Sequence, residues 1–386
     1  MNHIITDSLV DDFCTLARIE GTSLKERKVA DYIKQQLEPL NIRVIEQSLP
    51  DVESNTGNLI CIPAETDLNK PVTFLAAHMD TVRPTGKLKP VIKDGVITTD
   101  GTTILGADNR AGVAALLYML RTAREKRLRM NNIVVLFTVA EEIGMVGARK
   151  LDLSEFPSIE RIFVFDCSKR PGIFIQHCYG CLKFYVTVQG RPAHAGVAPE
   201  KGVNAIAIAA DIISQLGQGR LEDGATFNIG TIRGGDATNV VSSEVMFDGE
   251  IRGPSMDVIE HHLARLRETA ANTADRYGGK VEIETSLAFA PFYIDPSSDH
   301  YKAAGEIIRK AMLEPNPIRY TGGSDANAFN AQEIPAINFG IGAQQPHSNE
   351  EFIYIEDLVK TTELVFHAAI AESVIDKEAS RDKTKV

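Results

Sequence analysis

The sequence lacks the long apolar segment that a membrane span needs. Its 386 residues contain no window close to the roughly 18 consecutive apolar residues that cross a bilayer. Residues 1–7 also show no basic segment followed by an apolar core, so we expect no secretory signal. A membrane is therefore not expected as a partner.

An excess of basic charge is absent as well. Lys and Arg number 41 against 52 Asp and Glu, which gives a formal net charge of −11, and the basic residues are dispersed. Nucleic acids and anionic membrane surfaces attract basic patches, so we expect neither as a partner.

Cysteine is scarce, with five residues in the whole chain. An odd, small number in a chain of this length fits a reduced cytoplasm better than a disulfide framework, so we expect a cytoplasmic protein. Cys178 and Cys181 have C-x-x-C spacing, but they lack the strand-to-helix setting of a redox motif and the second pair of a zinc site. We expect a structural or incidental role for both.

The chain is longer than a single hydrophobic core usually accommodates, so its length predicts about two domains. Residues 1–178 alternate strand and helix patterns, which predicts an α/β catalytic domain with a mixed, mainly parallel sheet. Residues 179–288 follow the order β-α-β-β-α-β of a ferredoxin-like α+β domain, whose uncovered sheet face or edge would accept a partner. Because the α/β pattern returns in residues 289–386, we expect a discontinuous first domain with the middle domain inserted into it.

Two local patterns predict chain features outside the sheets. Ser23 and Glu26 have the spacing of a capping box at the start of a helix. The sequence pattern predicts the last helix at residues 356–373. We expect the charged residues 376–386 to fray.

The most informative segment is residues 72–78, an apolar run with β-branched residues that predicts a buried strand ending at His78. Asp80 follows two residues later and would point to the same side, where a carboxylate can orient the imidazole. One His-x-Asp motif is weak evidence, and its weight comes from groups further along the chain.

Four further positions carry metal-ligand residue types, and each is ordinary alone. Asp108 begins a predicted helix and could equally be its N-cap. Glu141 and Glu142 end an apolar strand, where adjacent carboxylates are costly without cations or solvent. Asp166 ends another apolar strand and could be a turn residue, and His347 lies in a polar loop where a histidine is usually just exposed.

Together these positions predict a two-metal centre. Open α/β sheets bind ligands at the carboxyl ends of their strands, and here these ends carry His, Asp, Glu, Asp and His. A bridging carboxylate, with one imidazole and one terminal carboxylate for each metal, suits Zn²⁺, with Co²⁺ or Mn²⁺ as alternatives. Two metals activate a shared water, and a free glutamate can take its proton and pass it to the leaving amine.

Three motifs occur in the same order as in a known family, and the match to that family extends over essentially the full length of the chain. They are AHMDTV at 77–82, LGADN at 105–109 and EEIG at 141–144. On these motifs the chain resembles the co-catalytic dinuclear zinc peptidases that include peptidase T, aminoacylase and glutamate carboxypeptidase, and most of all the peptidase T-like branch.

The resemblance implies a role for each site residue. His78, Asp108 and Asp166 would hold one metal, and Asp108, Glu142 and His347 the other. Glu141 would be the general base and Asp80 would orient His78. A cis peptide bond would follow the bridging aspartate Asp108.

The middle domain resembles the lid and dimerisation domain of the family, which implies a homodimer. His194, in GRPAHAG at 190–196, matches a histidine that reaches the substrate carbonyl, often in the partner subunit's site. Asn239 and Arg252 match positions that hold the substrate carboxylate. Without the resemblance, His194 is typical of a polar turn and Arg252 of a surface salt bridge, although guanidinium does bind carboxylates in a bidentate way. GGSDA at 322–326 resembles another active-site loop, in which Ser324 or Asp325 could simply cap the next helix.

Three functions remain open at this point. The first is a tripeptide aminopeptidase-like enzyme that hydrolyses small peptides. The second is an acyl-amino-acid deacylase, a carboxypeptidase or a carbamoyl-amino-acid amidohydrolase on the same scaffold. The third, a catalytically silent peptide-binding homologue, is disfavoured because all five ligand positions and Glu141 are present. A requirement for a free α-amine would separate the first from the second.

Overall fold

The computed structural model describes residues 4–371. Within this range the chain forms nine α-helices and two short 3-10 helices, Glu38–Leu40 and Pro199–Lys201. The α-helices are α1 Thr6–Ala17, α2 Arg27–Leu37, α3 Ala107–Glu125, α4 Val146–Arg149, α5 Ala205–Gln215, α6 Met256–Tyr277, α7 Asp299–Lys310, α8 Asp325–Ala331 and α9 Ile355–Ala369.

The same residues form eighteen strands, several of them only two or three residues long. They are β1 Ile42–Gln47, β2 Asn58–Pro63, β3 Val72–His78, β4 Val91–Lys93, β5 Val96–Thr98, β6 Ile133–Thr138, β7 Ile159–Cys167, β8 Ile173–Cys178, β9 Gly180–Gln189, β10 Gly219–Arg220, β11 Thr226–Gly234, β12 Glu244–Gly253, β13 Lys280–Phe289, β14 Phe292–Tyr293, β15 Asn316–Tyr320, β16 Ala336–Gly340, β17 Ala343–Gln344 and β18 Phe352–Tyr354.

The described chain divides into two compact units. The second unit consists of His177–Tyr293 and the short segment Arg319–Gly323, and the remaining residues form the first unit. The segment Arg319–Gly323 was not predicted to belong with the middle domain. The domain boundaries predicted between residues 178 and 179 and between residues 288 and 289 stay predictions.

The first unit is built on a mixed sheet whose strands follow the order β1-β2-β6-β3-β7-β16-β8. The strands β6, β3, β7 and β16 run parallel, whereas β1, β2 and β8 pair antiparallel with their neighbours. The predicted mixed α/β fold is therefore confirmed. Because the four parallel strands point the same way, their carboxyl ends meet at one edge of the sheet.

Helix α3 packs closely against this sheet. It is rich in Ala and Leu, which favour helix, and most of its residues are buried. At Gly112 a Cβ atom would lie 2.5 Å from the carbonyl oxygen of Phe165 and 3.1 Å from the Cβ of Ala77. Glycine at this position therefore lets α3 approach β3 and β7 closely.

The second unit has the strand order β10-β11-β12-β9-β13, and every pair is antiparallel. Without the short β10, this is the order of a ferredoxin-like sheet. Alternate residues of β9, among them Phe184, Val186 and Val188, are buried in a core that α5 and α6 also line. The alternation arises because successive side chains of a strand point to opposite faces.

Two local predictions need comment. The prediction of a capping box at Ser23 and Glu26 was wrong. The Ser23 hydroxyl donates to Asp80 Oδ2 at 2.6 Å, and Glu26 accepts a hydrogen bond from the distant Ala140 N–H. Helix α9 ends at Ala369, and the rest of the predicted last helix and tail, from residue 372, lies outside the described residues.

Between residues 4 and 371, none of the helices is both long and apolar enough to cross a membrane.

Candidate metal centre

His78 lies at the carboxyl end of β3 and is buried between two carboxylates. Its Nε2 atom is 3.2 Å from Asp108 Oδ1 and 3.1 Å from Asp166 Oδ1. Asp108 lies in the first turn of α3, and Asp166 lies near the carboxyl end of β7, the strand that neighbours β3. Parallel strands thus bring together three residues that are far apart in the sequence.

A second histidine faces the other oxygen of Asp108. His347 Nε2 is 3.5 Å from Asp108 Oδ2 and 3.1 Å from Glu142 Oε2. His347 lies in the loop between β17 and β18, and Arg83 holds this loop by donating to the His347 carbonyl at 2.7 Å. Each oxygen of Asp108 therefore faces its own histidine, which is the arrangement of a carboxylate that bridges two cations.

The donor set fits divalent metal ions. Asp108, Glu142 and Asp166 are largely buried around one another, a concentration of negative charge that is costly unless cations compensate it. Among the described residues, Glu142 Oε1 is buried without a hydrogen-bond partner, which leaves it free to bind a cation. The ligand atoms of His78, Asp108 and Glu142 lie within 4.8 Å of one another, and all are nitrogen or oxygen, as zinc and related ions accept.

Both histidine rings lie in surroundings that favour positive charge. Hydrogen bonds to Asp108 and Glu142 raise the pKa of His347 to about 10. Burial works against the charged form of His78, but the carboxylates of Asp166 and Asp108 outweigh burial and raise its pKa well above the ordinary value. The cluster therefore attracts cations, whether protons or metal ions.

The carboxylates divide into two groups. Burial would raise the pKa of Asp108, but hydrogen bonds from His347 and His78 outweigh it and hold that pKa below its ordinary value. Burial raises the pKa of Glu142 and of Asp166, and it raises the pKa of Glu141 well above the ordinary value. Asp108 is the carboxylate that both rings contact, as expected for the group between them.

Asp80 holds both His78 and the turn that follows β6. Its Oδ1 atom lies 3.2 Å from His78 Nδ1, so it can fix the ring with Nε2 towards the other carboxylates. The same carboxylate accepts the backbone N–H groups of Glu141 at 3.0 Å and Glu142 at 3.1 Å. The geometry agrees with an orienting role for Asp80 and extends it to the neighbouring glutamates.

Glu351 is a site residue that the sequence patterns did not identify. Its side chain is buried and accepts two backbone N–H groups, from Gly106 at 2.7 Å and from Asp108 at 3.1 Å. Both carboxylate oxygens are used to hold the segment that carries Asp108. The only local signal is its position four residues after His347, in a polar loop where a glutamate is expected to be exposed.

Replacing Glu351 by Gln should weaken metal binding. An amide has one oxygen, so its NH₂ group would face one of the two N–H donors, and the Asp108 segment would loosen. Losing such a supporting contact lowers metal affinity by on the order of 10- to 100-fold. Competition with a coloured chelator measures the zinc affinity. Glu350→Gln, at the exposed neighbour, is the matched control, and equal affinities in both variants would contradict this role.

Asp325 also lies deeper in the structure than the sequence indicated. Ser324 is the N-cap residue of α8, and its N–H donates to Asn327 Oδ1 at 3.1 Å, so Ser324 is the cap that the sequence left open. Asp325 Oδ2 accepts a hydrogen bond from the Thr138 hydroxyl, and in the described structure its Oδ1 is buried without a partner. Burial raises the pKa of Asp325 to about 7.

In the second unit the predicted substrate residues fall into two places. His194 and Asn239 are exposed and lie on adjacent loops, which the Ala195 N–H joins by donating to the Asn239 carbonyl at 2.9 Å. Arg252 donates to Glu250 Oε1 at 2.8 Å and to the Thr321 carbonyl at 2.7 Å. The salt bridge that the sequence offered as an alternative for Arg252 is thus present.

Cys178 and Cys181 are buried in this unit, and neither forms a disulfide. Each contacts an oxygen acceptor: Cys178 Sγ lies 3.0 Å from the Gly322 carbonyl and Cys181 Sγ lies 3.6 Å from Glu250 Oε2. These contacts support the structural role expected for both.

Fold and site together define a mixed α/β scaffold with a candidate centre for two cations at the carboxyl edge of its parallel strands. The model of peptidase family M20/M25/M40 matches residues 74–371. The chain belongs to this family and is a hydrolytic metallopeptidase.

Three similar proteins cover nearly the whole chain. The Bacillus subtilis protein YqjE is 34% identical over 362 residues, which cover 92% of this chain and 96% of that protein. The aminopeptidase PepT of Bacillus cereus is 33% identical with a TM-score of 0.88, and a tripeptidase of Staphylococcus aureus is 31% identical with a TM-score of 0.90. For both structures the match covers 95% of this chain and 98% of the other.

These findings confirm the resemblance to the peptidase T-like branch. The peptide bond between Asp108 and Asn109 is cis, as the resemblance implied. The individual roles of the site residues stay predictions.

Proposed function

We propose that this protein is an aminopeptidase that removes the amino-terminal residue of small peptides, tripeptides above all. The observation that carries the proposal is the position of Asp108, whose two oxygens face His78 and His347 separately. Support for the substrate class comes from the similar structures, which are an aminopeptidase and a tripeptidase.

Five residues would hold two divalent metal ions, most readily zinc, with cobalt or manganese as alternatives. These residues are His78, Asp108, Glu142, Asp166 and His347. When bound, the ions would lower the pKa of a water and polarise the scissile carbonyl.

Glu141 would act as general base on the water and then as general acid towards the leaving amine. The Glu141 backbone is fixed by its hydrogen bond to Asp80, and its carboxylate lies in surroundings that raise its pKa well above the ordinary value, chiefly through burial.

Matched tripeptides with a free and an N-acetylated amino terminus test the substrate class. We expect the metal-loaded protein to cleave only the free-amine peptide, and the metal-free protein to cleave neither. Cleavage of the acetylated peptide would contradict the aminopeptidase proposal and favour a deacylase or carboxypeptidase. Failure with both, in protein that binds metal, would contradict small peptides as substrates.

The second unit would supply substrate contacts and the interface of a homodimer. His194 would reach the substrate carbonyl, and Asn239 with Arg252 would hold the substrate carboxylate. Exposure of His194 and Asn239 supports these roles, because both side chains are available to a ligand. Sedimentation equilibrium tests the dimer, and a monomer at assay concentration would contradict it.

His194→Ala should lower kcat with unchanged metal content, because an imidazole near the carbonyl would stabilise charge that develops in the transition state. Losing one such donor typically costs on the order of 10²-fold or more in kcat. His261→Ala, at another exposed histidine of the same unit, is the control and should turn over normally. A wild-type kcat for His194→Ala would remove His194 from the catalytic residues.

A cytoplasmic location stays a prediction. The free state of all five cysteines supports a reducing compartment.

A further inference from the structure

The turn that carries Glu141 and Glu142 is held through three consecutive backbone N–H groups. The Ala140 N–H donates to Glu26 Oε1 at 2.8 Å. The next two N–H groups donate to Asp80 Oδ1 and Oδ2 at 3.0 and 3.1 Å. Two carboxylates from distant segments thus fix the path of the chain between β6 and the candidate metal centre.

Ala140 adopts a backbone conformation that needs outside support. Its φ is +54°, in the left-handed region that residues with a Cβ rarely occupy. Ala140 is also fully buried, so water cannot satisfy its N–H group. The hydrogen bond to Glu26 satisfies this N–H group and helps to hold the turn in this conformation immediately before Glu141.

A buried arginine makes this arrangement electrostatically tolerable. Glu26, Asp80 and Arg110 all have 0% exposure, and the charges of both carboxylates act on the Arg110 guanidinium. Arg110 donates to the Met79 carbonyl and, at 3.2 Å, to the Ile19 carbonyl. Burial and the charge of Asp80 nevertheless raise the pKa of Glu26 to about 7, so the charge of Arg110 offsets only part of the cost of keeping both carboxylates out of water.

We propose that Glu26 is a positioning residue for peptide hydrolysis, which sets the direction of Glu141 through the Ala140 N–H, with Arg110 as its compensating cation. The proposal rests on the proposed role of Glu141 as general base. Glu26 Oε1 makes the contact with the Ala140 N–H, whereas among the described residues Oε2 has no hydrogen-bond partner.

Three substitutions of Glu26 separate the effect of its hydrogen bond to Ala140 from the effects of its charge and its volume. Glu26→Gln keeps an oxygen acceptor at the same reach, Glu26→Asp keeps the charge but withdraws the oxygen by one methylene, and Glu26→Leu keeps the volume alone. We expect Asp and Leu to lower kcat by on the order of 10- to 100-fold, the effect of a small misplacement of a reacting group. KM and metal content should stay unchanged in all three variants. The kcat of Glu26→Gln should remain within about threefold of the wild-type value, because the amide oxygen can still hold the turn in place.

Asp357→Asn is the matched control, because Asp357 is also a buried carboxylate of the first unit but pairs with Arg170. We expect this variant to lose stability without losing kcat. Amide hydrogen exchange in peptides that cover residues 140–142 gives a second readout that does not need activity. Exchange should be faster in the Asp and Leu variants than in wild type and Gln.

A folded Leu or Asp variant with wild-type kcat would overturn the proposal, and so would a Gln variant as slow as Leu. If Leu fails to fold, Asp and Gln still decide the question. A wild-type protein without peptidase activity would contradict the proposed function instead, and hydrogen exchange would still test the role of Glu26.

Discussion

Glu141→Ala is expected to abolish detectable peptide hydrolysis while both metal ions stay bound. Among the described residues, Glu141 makes no contact with His78 or His347 as short as the contacts of the other carboxylates. Its neighbour Glu142, in contrast, lies 3.1 Å from His347 Nε2. Removing a general base typically costs on the order of 10²- to 10⁴-fold in rate. Steady-state kinetics and metal analysis on the same sample measure the two effects separately.

The adjacent residue provides the matched control. Glu142→Ala should lose metal as well as activity, because Glu142 would be a ligand and Glu141 would not. The two side chains leave the same turn and differ by one position, so stability and folding effects should be similar. Loss of metal from Glu141→Ala, or retention of both ions by Glu142→Ala, would contradict the assignment of roles.

Asp108→Ala should remove both metal ions at once, because each oxygen of Asp108 faces one of the two histidines. Without metal, this variant should be less stable than the metal-free wild type, because Asp108 pairs with both histidines and its removal leaves these rings with one carboxylate partner fewer. Adding zinc should stabilise only the wild type, by about 2.7 kcal/mol at a free concentration of 100 times Kd.

Thermal unfolding with and without zinc tests this expectation. Asp31→Ala, at an exposed aspartate on α2, should respond to zinc like the wild type. A zinc-dependent rise in the melting temperature of Asp108→Ala equal to that of the wild type would show that Asp108 does not bridge the metals.

Much of the site could be predicted because strand periodicity places its residues. The segment 72–78 was predicted as a strand and is β3, with His78 at its carboxyl end. The apolar strands before Glu141 and Asp166 gave the same signal. Since parallel strands end at one edge, residues scattered over the sequence could be expected to meet.

Residues that act through long-range backbone contacts could not be predicted. Glu26 has the local spacing of a capping box, but its partner Ala140 lies 114 residues further along the chain. Glu351 accepts a hydrogen bond from the Gly106 N–H, although the two residues are 245 positions apart in the sequence. Local patterns contain no information on such partners, and polar residues in loops are normally expected to be exposed.

The division into two units shows the same limit. The β-α-β-β-α-β order could be derived from alternation within each segment. The segment Arg319–Gly323 joins the second unit through long-range hydrogen bonds that no local pattern predicts. Among them, the Tyr179 N–H donates to the Tyr320 carbonyl at 2.9 Å and Arg252 donates to the Thr321 carbonyl at 2.7 Å.

The central claim is that two metal ions, held by residues from separate strand ends and loops, are required for peptide hydrolysis. Zinc titration of metal-free protein tests it most directly, with bound metal and tripeptide hydrolysis measured on each sample. We predict about two bound ions per chain at saturation, and turnover that appears only as metal binds. Full hydrolysis by the metal-free protein, or saturation without tight binding of any ion, would contradict the claim.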